Sequence, residues 1–203
     1  LVTGGLPSIV EAGSLSGRPG PAIVVSSQNR PLVRGLAAGL ETVPKLGPED
    51  YWLKTVGFSG LSHLLVAGGE GAGILYGAFA FAERLGIRFE LDGDIVPEDK
   101  VRFVVPDLEE TGRPLFAVRG IQPFHDFPEG PDGWRLDNYK AVLGQLPKLG
   151  LNFFGLHTYP EKGPNAEPTV WIGGRGEFEA DGRVRASYPS SYQNSLRGNW
   201  GYE

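Results

Sequence analysis

One amphipathic segment constrains the fold of this chain more than any other feature. Between about Gly73 and Leu85 apolar residues recur at helical spacing, in a stripe of Leu75, Ala78, Phe79, Ala82 and Leu85. Ile74 and Phe81 widen the stripe enough for it to lie against a sheet, and Gly86 follows as a natural C-terminal cap. The pattern therefore predicts a helix packed on a β-sheet.

Short strand-like and helical segments surround this helix. Residues 21–27 are apolar and β-branched, which favours a buried strand, and residues 31–40 carry apolar side chains at helical spacing. Residues 51–56 and 63–67 read as two further strands, and residues 87–91 alternate apolar and polar. The predicted order is strand, helix, two strands, helix, strand, which is a compact α+β layer.

The chain divides by its composition into two predicted domains. Residues 1–106 form the small α+β domain, and the acidic, Gly- and Pro-containing residues 107–114 are predicted to be a linker. Residues 115–203 follow a different pattern. They are far shorter than the ~250 residues of a complete (β/α)8 barrel.

A strand–helix–strand pattern opens the second predicted domain. Residues 116–121 predict a strand, residues 137–149 a helix with a kink at Pro147 and an end at Gly150, and residues 151–157 an almost continuously apolar strand. Such a pattern indicates a parallel strand pair with a right-handed crossover. We therefore expect the first βα units of an incomplete (β/α)8 barrel.

Composition and charge exclude several classes of function. Apolar residues make up 40% and charged residues 21%, as in ordinary globular proteins, and the net charge of −5 argues against a nucleic-acid partner. No apolar run approaches the ~20 residues that span a bilayer, so membrane insertion is not expected. The chain has no methionine and begins at Leu1, and we expect it to be a fragment of a longer protein.

Polar clusters follow both predicted strands of the barrel segment. His125 and Asp126 come after the first strand, and His157 and Glu161 come after the second. Chemistry in a βα-barrel occurs where the strands end, and aromatic rings there can pack on sugar faces. The candidate substrate-binding residues are Arg119, His125, Asp126, Trp134, His157, Tyr159, Glu161 and Trp171.

The same polar residues allow two other interpretations. His125, Asp126, His157 and Glu161 could form a metal site, but they come from separate loops without a paired-histidine motif, so no metal or other cofactor is expected. Asp126 and Glu161 could instead be the acid and base of a glycosidase. We rank them as substrate contacts first and as catalytic groups second.

The glycines around the central helix suggest nucleotide binding, but their spacing does not fit. A G-x-G-x-x-G pattern that starts at Gly69 requires glycine at position 74, which is Ile74. A pattern that starts at Gly71 requires glycine at position 76, which is Tyr76. No Gly-Lys-Ser/Thr sequence follows, which excludes a Walker loop there. A tight turn with close helix–sheet contact at Gly77 is the favoured explanation.

Residues 71–89 carry the most specific resemblance in the chain. Their Gly-x-Gly-Ile-Leu-Tyr-Gly-Ala sequence, followed by Glu-Arg-Leu-Gly-Ile-Arg-Phe, resembles the small domain that precedes the barrel in β-N-acetylhexosaminidases and bacterial α-glucuronidases. The resemblance extends over about residues 20–100. It implies a domain that supports the barrel, with structural roles for Tyr76, Glu83 and Arg84.

The resemblance also implies functional expectations for the second domain. The Arg119-Gly120 pair is similar to an Arg-Gly on the first barrel strand of hexosaminidases, which implies that Arg119 holds the terminal sugar. A core arginine paired with a barrel carboxylate is the alternative. In that family the catalytic Asp-Glu pair lies on a later barrel strand. A periplasmic or extracellular location is implied as well.

We therefore expect the N-terminal portion of a carbohydrate-active glycoside hydrolase. Its partners would be an oligosaccharide or polysaccharide substrate and the remainder of its own barrel domain. The alternative from another class is a non-catalytic carbohydrate-binding module that uses the same surface. A nucleotide-binding α/β protein is the weaker alternative.

Overall fold

A computed structural model describes most of the first three quarters of the chain. The described residues are 8–11, 13–17, 19–100, 104–123, 131, 134–155, 176, 179–181, 183 and 185. The chain divides into two compact units, the first comprising Leu1–Gly120 with Lys140–Phe153 and the second Ile121–Tyr139 with Phe154–Glu203. The units are described separately below.

The described elements show a mixed α+β protein. In chain order they are β1 (Ile23–Ser27), α1 (Pro31–Ala37), β2 (Tyr51–Phe58), β3 (Leu61–Gly68), α2 (Gly71–Arg84), β4 (Arg88–Glu90), β5 (Gly93–Ile95), β6 (Glu109–Gly112), β7 (Gly120–Ile121), α3 (Leu136–Gln145), a 3-10 helix (Leu146–Leu149) and β8 (Phe153–Phe154). The order from β1 to β4 is the predicted one. Among the described residues, no helix is both long enough and apolar enough to cross a membrane.

The first unit is built around a four-stranded sheet in the order β1-β3-β2-β6. β1 runs parallel to β3, with Ile23 opposite Leu64, and β2 runs antiparallel to β3, with Lys54 opposite Leu65. β4 and β5 form a separate antiparallel pair. The central strand β3 is almost fully buried because it has a neighbouring strand on both sides and apolar layers on both faces.

Alternate residues of the strands supply two cores, because successive side chains point to opposite faces of a sheet. The core on the α1 side contains Leu15, Val24, Val33, Leu36, Ala37, Leu46, Trp52, Val56, Leu65 and Ala67. The core on the α2 side contains Leu53, Leu64, Val66 and Phe81. The sheet is therefore sandwiched between the two helices.

The face that the helix α2 presents to the sheet coincides only in part with its predicted apolar stripe: Phe81 is buried and Leu85 packs against the same core. Its buried residues are Gly73, Tyr76, Gly77 and Phe81, whereas Leu75 in the predicted stripe is 41% exposed. The expected close contact at Gly77 is confirmed, because an added Cβ would lie 3.0 Å from Tyr51 Cβ and 3.2 Å from Val66 Cγ1. Backbone proximity, which only glycine permits, has decided the buried face.

The end of α2 follows the prediction closely. Leu85 is the C-cap; its N–H donates to Ala82 O at 3.0 Å, and the Gly86 N–H donates to Glu83 O at 2.9 Å. Gly86 comes next with a φ of 90°, which is the left-handed conformation that favours glycine. The local sequence is sufficient to end this helix.

Part of the segment predicted to be a linker is a strand of the sheet. Glu109–Gly112 form β6, which pairs antiparallel with β2 along its open edge. Lys54 Nζ lies 2.6 Å from the Glu109 carboxylate, and Arg84 Nη2 lies 2.6 Å from that of Glu110. Two acidic residues of the predicted linker, Glu109 and Glu110, are therefore paired with cations of β2 and α2.

The strands β7 and β8 form a separate two-stranded sheet. Arg119 O accepts the Phe153 N–H at 3.0 Å, and Ile121 O accepts the Gly155 N–H at 2.8 Å. Residue numbers rise together along the two strands, so the pairing is parallel, as expected. The strands are shorter than predicted, since the exposed residues Phe116–Val118 lie outside β7.

The segment between β7 and β8 contains the predicted helix and its interruption. α3 ends at Gln145, and Leu146–Leu149 continue as a 3-10 helix with Pro147 near its start. Gly150 closes this helix with a φ of 70°, as predicted. Proline lacks the N–H that an α-helix interior requires, which explains the change of helix type.

His63, on β3, is a buried polar residue with 1% exposure. Its Nδ1 accepts the Ala22 N–H at 3.1 Å, so Nε2 carries the proton and faces Phe58 O at 3.3 Å. We expect His63→Leu to lower the free energy of unfolding by about 1–3 kcal/mol, because the Ala22 N–H would lose its buried acceptor.

Urea unfolding checks this prediction. Ser62→Ala is the matched control, since Ser62 is the exposed neighbour on the same strand, and we expect a change below about 0.5 kcal/mol. Equal stability of His63→Leu and the natural chain would contradict the assigned hydrogen bonds.

Candidate functional site

The structure describes two of the eight candidate substrate-binding residues, Arg119 and Trp134. The other six lie outside the described residues; these are His125, Asp126, His157, Tyr159, Glu161 and Trp171. Asp126 and Glu161, the second-choice catalytic candidates, are among them. Within the described ranges, no group of three or more His, Cys, Asp or Glu side chains could hold a metal ion.

Arg119 directly precedes β7, and its side chain is 15% exposed. Its Nε donates to Gly150 O at 2.8 Å and its Nη1 to Phe116 O at 2.6 Å. Its Nη2 donates to Glu49 Oε2 at 2.8 Å and reaches Tyr76 Oη at 3.5 Å. The guanidinium also lies over the Tyr76 ring, 5.7 Å from its centroid. Arg119 is therefore held by the protein on several sides.

Glu49 and Asn152 complete this group, which we call the Glu49 cluster (Glu49, Tyr76, Arg119 and Asn152). Asn152 Nδ2 donates to Glu49 Oε1 at 2.9 Å and to Ala117 O at 2.8 Å. Asn152 Oδ1 accepts the backbone N–H of Arg119 at 2.9 Å. Both carboxylate oxygens of Glu49 thus have a donor, and all four residues belong to the first unit.

The electrostatics of the Glu49 cluster favour a fixed ion pair. The hydrogen bonds from Asn152 and Arg119 lower the pKa of the Glu49 carboxyl below its ordinary value of 4.5. Burial, followed by the negative charge of Glu49, raises the pKa of the Tyr76 hydroxyl. At neutral pH the carboxylate is therefore ionised and the phenol neutral. This arrangement suits structural hydrogen bonding rather than proton transfer.

The lowered pKa of Glu49 predicts how stability depends on pH. A carboxyl whose folded-state pKa is depressed contributes stability above its unfolded value, and this contribution is lost as pH falls through the folded pKa. We expect the stability difference between the natural chain and Glu49→Gln to be constant above about pH 6 and to shrink below pH 4.5. Urea unfolding of both proteins between pH 3 and pH 7 measures this. A difference that grows on acidification would contradict the ion pair.

Trp134 belongs to an aromatic cluster in the second unit. Its ring lies 5.3 Å from that of Tyr139 and 6.4 Å from that of Phe154, between centroids, and the Tyr139 ring meets that of Phe154 edge-on. Tyr139 Oη donates to Pro131 O at 2.6 Å. Trp134 is half-buried, so its ring packs partly on protein.

The glycine-rich loop before α2 uses its backbone donors within the protein. The Gly69 N–H donates to Asp50 O at 3.0 Å, and the Glu70 and Gly73 N–H groups donate to Pro48 O at 3.0 and 3.3 Å. A phosphate cradle needs such groups to point at the ligand. Here the N–H groups instead form hydrogen bonds that hold the start of α2 against residues 47–50.

Sequence reasoning missed Glu49 and Asn152. Glu49 is 70 residues from Arg119 and 103 residues from Asn152, so no local motif connects them. One signal was present: Asn152 interrupts an otherwise apolar strand sequence, and a polar residue at such a position usually has a hydrogen-bond partner.

Comparison with known proteins leaves the interpretation to the residues themselves. No protein-family model matches the sequence, and a search of curated proteins finds no match.

Proposed function

We propose that the chain carries the small α+β domain and the first βα unit of a glycoside hydrolase that cleaves O-glycosyl bonds in oligosaccharides or polysaccharides. The parallel pairing of β7 and β8 carries this proposal. Both strands lead directly into the polar segments that the sequence marks as substrate-binding. In βα-barrels the loops that follow the strands form the active site.

The hydrogen bond between Gly155 and Ile121 supports the convergence of these segments. It lies in the second unit, four residues before His125 and two residues before His157. The chain therefore enters both polar segments from adjacent positions on parallel strands. Imidazole, carboxylate and aromatic groups that start from one sheet edge are suited to hold a sugar ring by its hydroxyls and its apolar face.

The proposed division of roles follows from these positions. The proposed sugar-binding residues are His125, Asp126, Trp134, His157, Tyr159, Glu161 and Trp171. The catalytic acid and base would come from a later barrel strand, as in the families the sequence resembles. We therefore expect the 203-residue chain alone to bind oligosaccharides without hydrolysing them.

Hydrolysis assays on the whole protein that the gene encodes test this proposal. A panel of aryl-glycosides and oligosaccharides should include at least one substrate. Asp126→Asn and His157→Ala should lower kcat/KM by about tenfold to a hundredfold, which is the effect of losing a charge-assisted hydrogen bond. The matched control is Asp99→Asn, an exposed carboxylate of the small domain, which should leave kcat/KM unchanged.

Two other outcomes would redirect the interpretation. Saccharide binding without hydrolysis in the whole protein would identify a carbohydrate-binding module. Neither binding nor hydrolysis across the panel would reject a carbohydrate-directed function.

A further inference from the structure

We infer that Arg119 is a positioning residue and not a sugar ligand: together with Glu49 and Asn152 it ties the amino-terminal ends of β7 and β8 to the loop before β2. The inference rests on the proposed function, since these strands lead into the proposed sugar-binding segments. It assigns to Arg119 a role different from the one its family resemblance implies.

The first argument is the position of the two donors that meet at Glu49. Arg119 is the residue before β7, and Asn152 is the residue before β8. The Glu49 carboxylate accepts hydrogen bonds from both residues: its Oε2 accepts from Arg119 Nη2, and its Oε1 accepts from Asn152 Nδ2. The Asn152 side chain also accepts the Arg119 backbone N–H. These side-chain hydrogen bonds thus hold together the same ends of β7 and β8 that the backbone hydrogen bonds pair.

The second argument concerns the number of N–H donors that remain available on the Arg119 guanidinium. Arginine has five N–H donors, and a fork that holds two sugar hydroxyls needs a free pair of them. Nε, Nη1 and Nη2 of Arg119 are already engaged by Gly150 O, Phe116 O and the Glu49 cluster. Sugar binding would require breaking an ion pair that is mostly shielded from water.

The third argument is that the anchor itself is rigid. Glu49 lies in a turn in which the Gly47 N–H donates to Asp50 Oδ2 at 2.8 Å. The carbonyls of Pro48 and Asp50 on either side of it accept the loop N–H groups before α2. Glu49 is therefore held by the small domain independently of β7 and β8.

Amide hydrogen exchange of Glu49→Gln tests the tie directly. The new side-chain NH₂ group would face a donor of either Arg119 or Asn152, so one of the two hydrogen bonds must be lost. We expect the Phe153 N–H, which donates to Arg119 O, to exchange at least tenfold faster. The Leu64 N–H, which donates to Ala22 O within the main sheet, should keep its rate.

The matched control for this experiment is Glu109→Gln. It makes the same chemical change in an ion pair with Lys54 at the exposed edge of the sheet. We expect it to leave the Phe153 rate unchanged. An unchanged Phe153 rate in Glu49→Gln, or equal acceleration of Phe153 and Leu64, would overturn the inference.

Oligosaccharide titration separates positioning from direct contact. The probes are an N-acetylhexosamine oligomer and a glucuronate-bearing oligosaccharide. A positioning role predicts that Glu49→Gln, Arg119→Ala and the double variant weaken binding by a similar factor, because each breaks the same tie. A sugar ligand predicts weakening by Arg119→Ala with little effect of Glu49→Gln, and this result would overturn the inference.

The two proposals fail in distinguishable ways. If the natural chain binds neither probe and the whole protein has no glycosidase activity, the proposed function fails. The exchange rates of Phe153 and Leu64 still decide whether Arg119 and Glu49 hold the strand ends.

Discussion

Replacing Gly73 by alanine is expected to lower the free energy of unfolding by about 3 kcal/mol or more. A Cβ at this position would lie 2.2 Å from Asp50 O and 3.0 Å from Pro48 O. Both neighbours are backbone atoms, so no side-chain rotation can relieve the overlap. Either α2 must move away from residues 47–50, or that turn must give up its hydrogen bonds to the loop.

Gly71→Ala is the matched control for this substitution. Gly71 begins the same helix, and an added Cβ there meets no atom within 4 Å. We expect a change in unfolding free energy below about 0.5 kcal/mol. Urea unfolding followed by tryptophan fluorescence compares the two, since Trp52 is buried in the core. Similar effects of both substitutions would contradict the close approach of α2 to the turn.

Gly120→Ala is expected to disrupt the pairing of β7 with β8. A Cβ at Gly120 would lie 1.9 Å from Phe153 O and 2.6 Å from Phe153 C, so the two backbones could not keep their separation. We expect the Phe153 N–H to lose at least tenfold of its exchange protection and saccharide binding to fall in parallel. The unfolding free energy should drop by about 3 kcal/mol.

Gly144→Ala, in the segment between β7 and β8, is expected to raise the free energy of unfolding instead. Gly144 lies in α3, and an added Cβ there meets no atom within 4 Å. Because alanine loses less conformational entropy in a helix than glycine does, we expect a gain of about 0.5–1 kcal/mol. Unfolding curves and amide exchange of the two variants provide the comparison. Unchanged Phe153 exchange in Gly120→Ala would contradict the parallel strand pair.

The elements that depend on neighbouring residues were accessible from the sequence. The order from β1 to β4, the stop of α2 at Gly86 and the break at Pro147 all follow from periodicity and from the backbone preferences of glycine and proline. The parallel relation of β7 and β8 also followed, because a strand–helix–strand sequence leaves few alternatives.

Features that depend on distant residues were not accessible. β6 was not predicted because its acidic residues are typical of a linker. Only the tertiary structure shows that Lys54 and Arg84 lie beside them and form ion pairs. The burial of Gly73 and Tyr76 on α2 was not predicted, because periodicity counts apolar side chains, whereas the contact at Gly73 depends on the absence of a side chain.

The candidate site shows the same difference between features that depend on neighbouring residues and features that depend on distant ones. The sequence alone predicted the parallel strand pair next to which Arg119 lies. Only the tertiary structure decided what the Arg119 guanidinium contacts, because its carboxylate partner is 70 residues away. A local pattern can specify backbone conformation, but the partner of a charged group depends on which distant segment folding brings within hydrogen-bond distance.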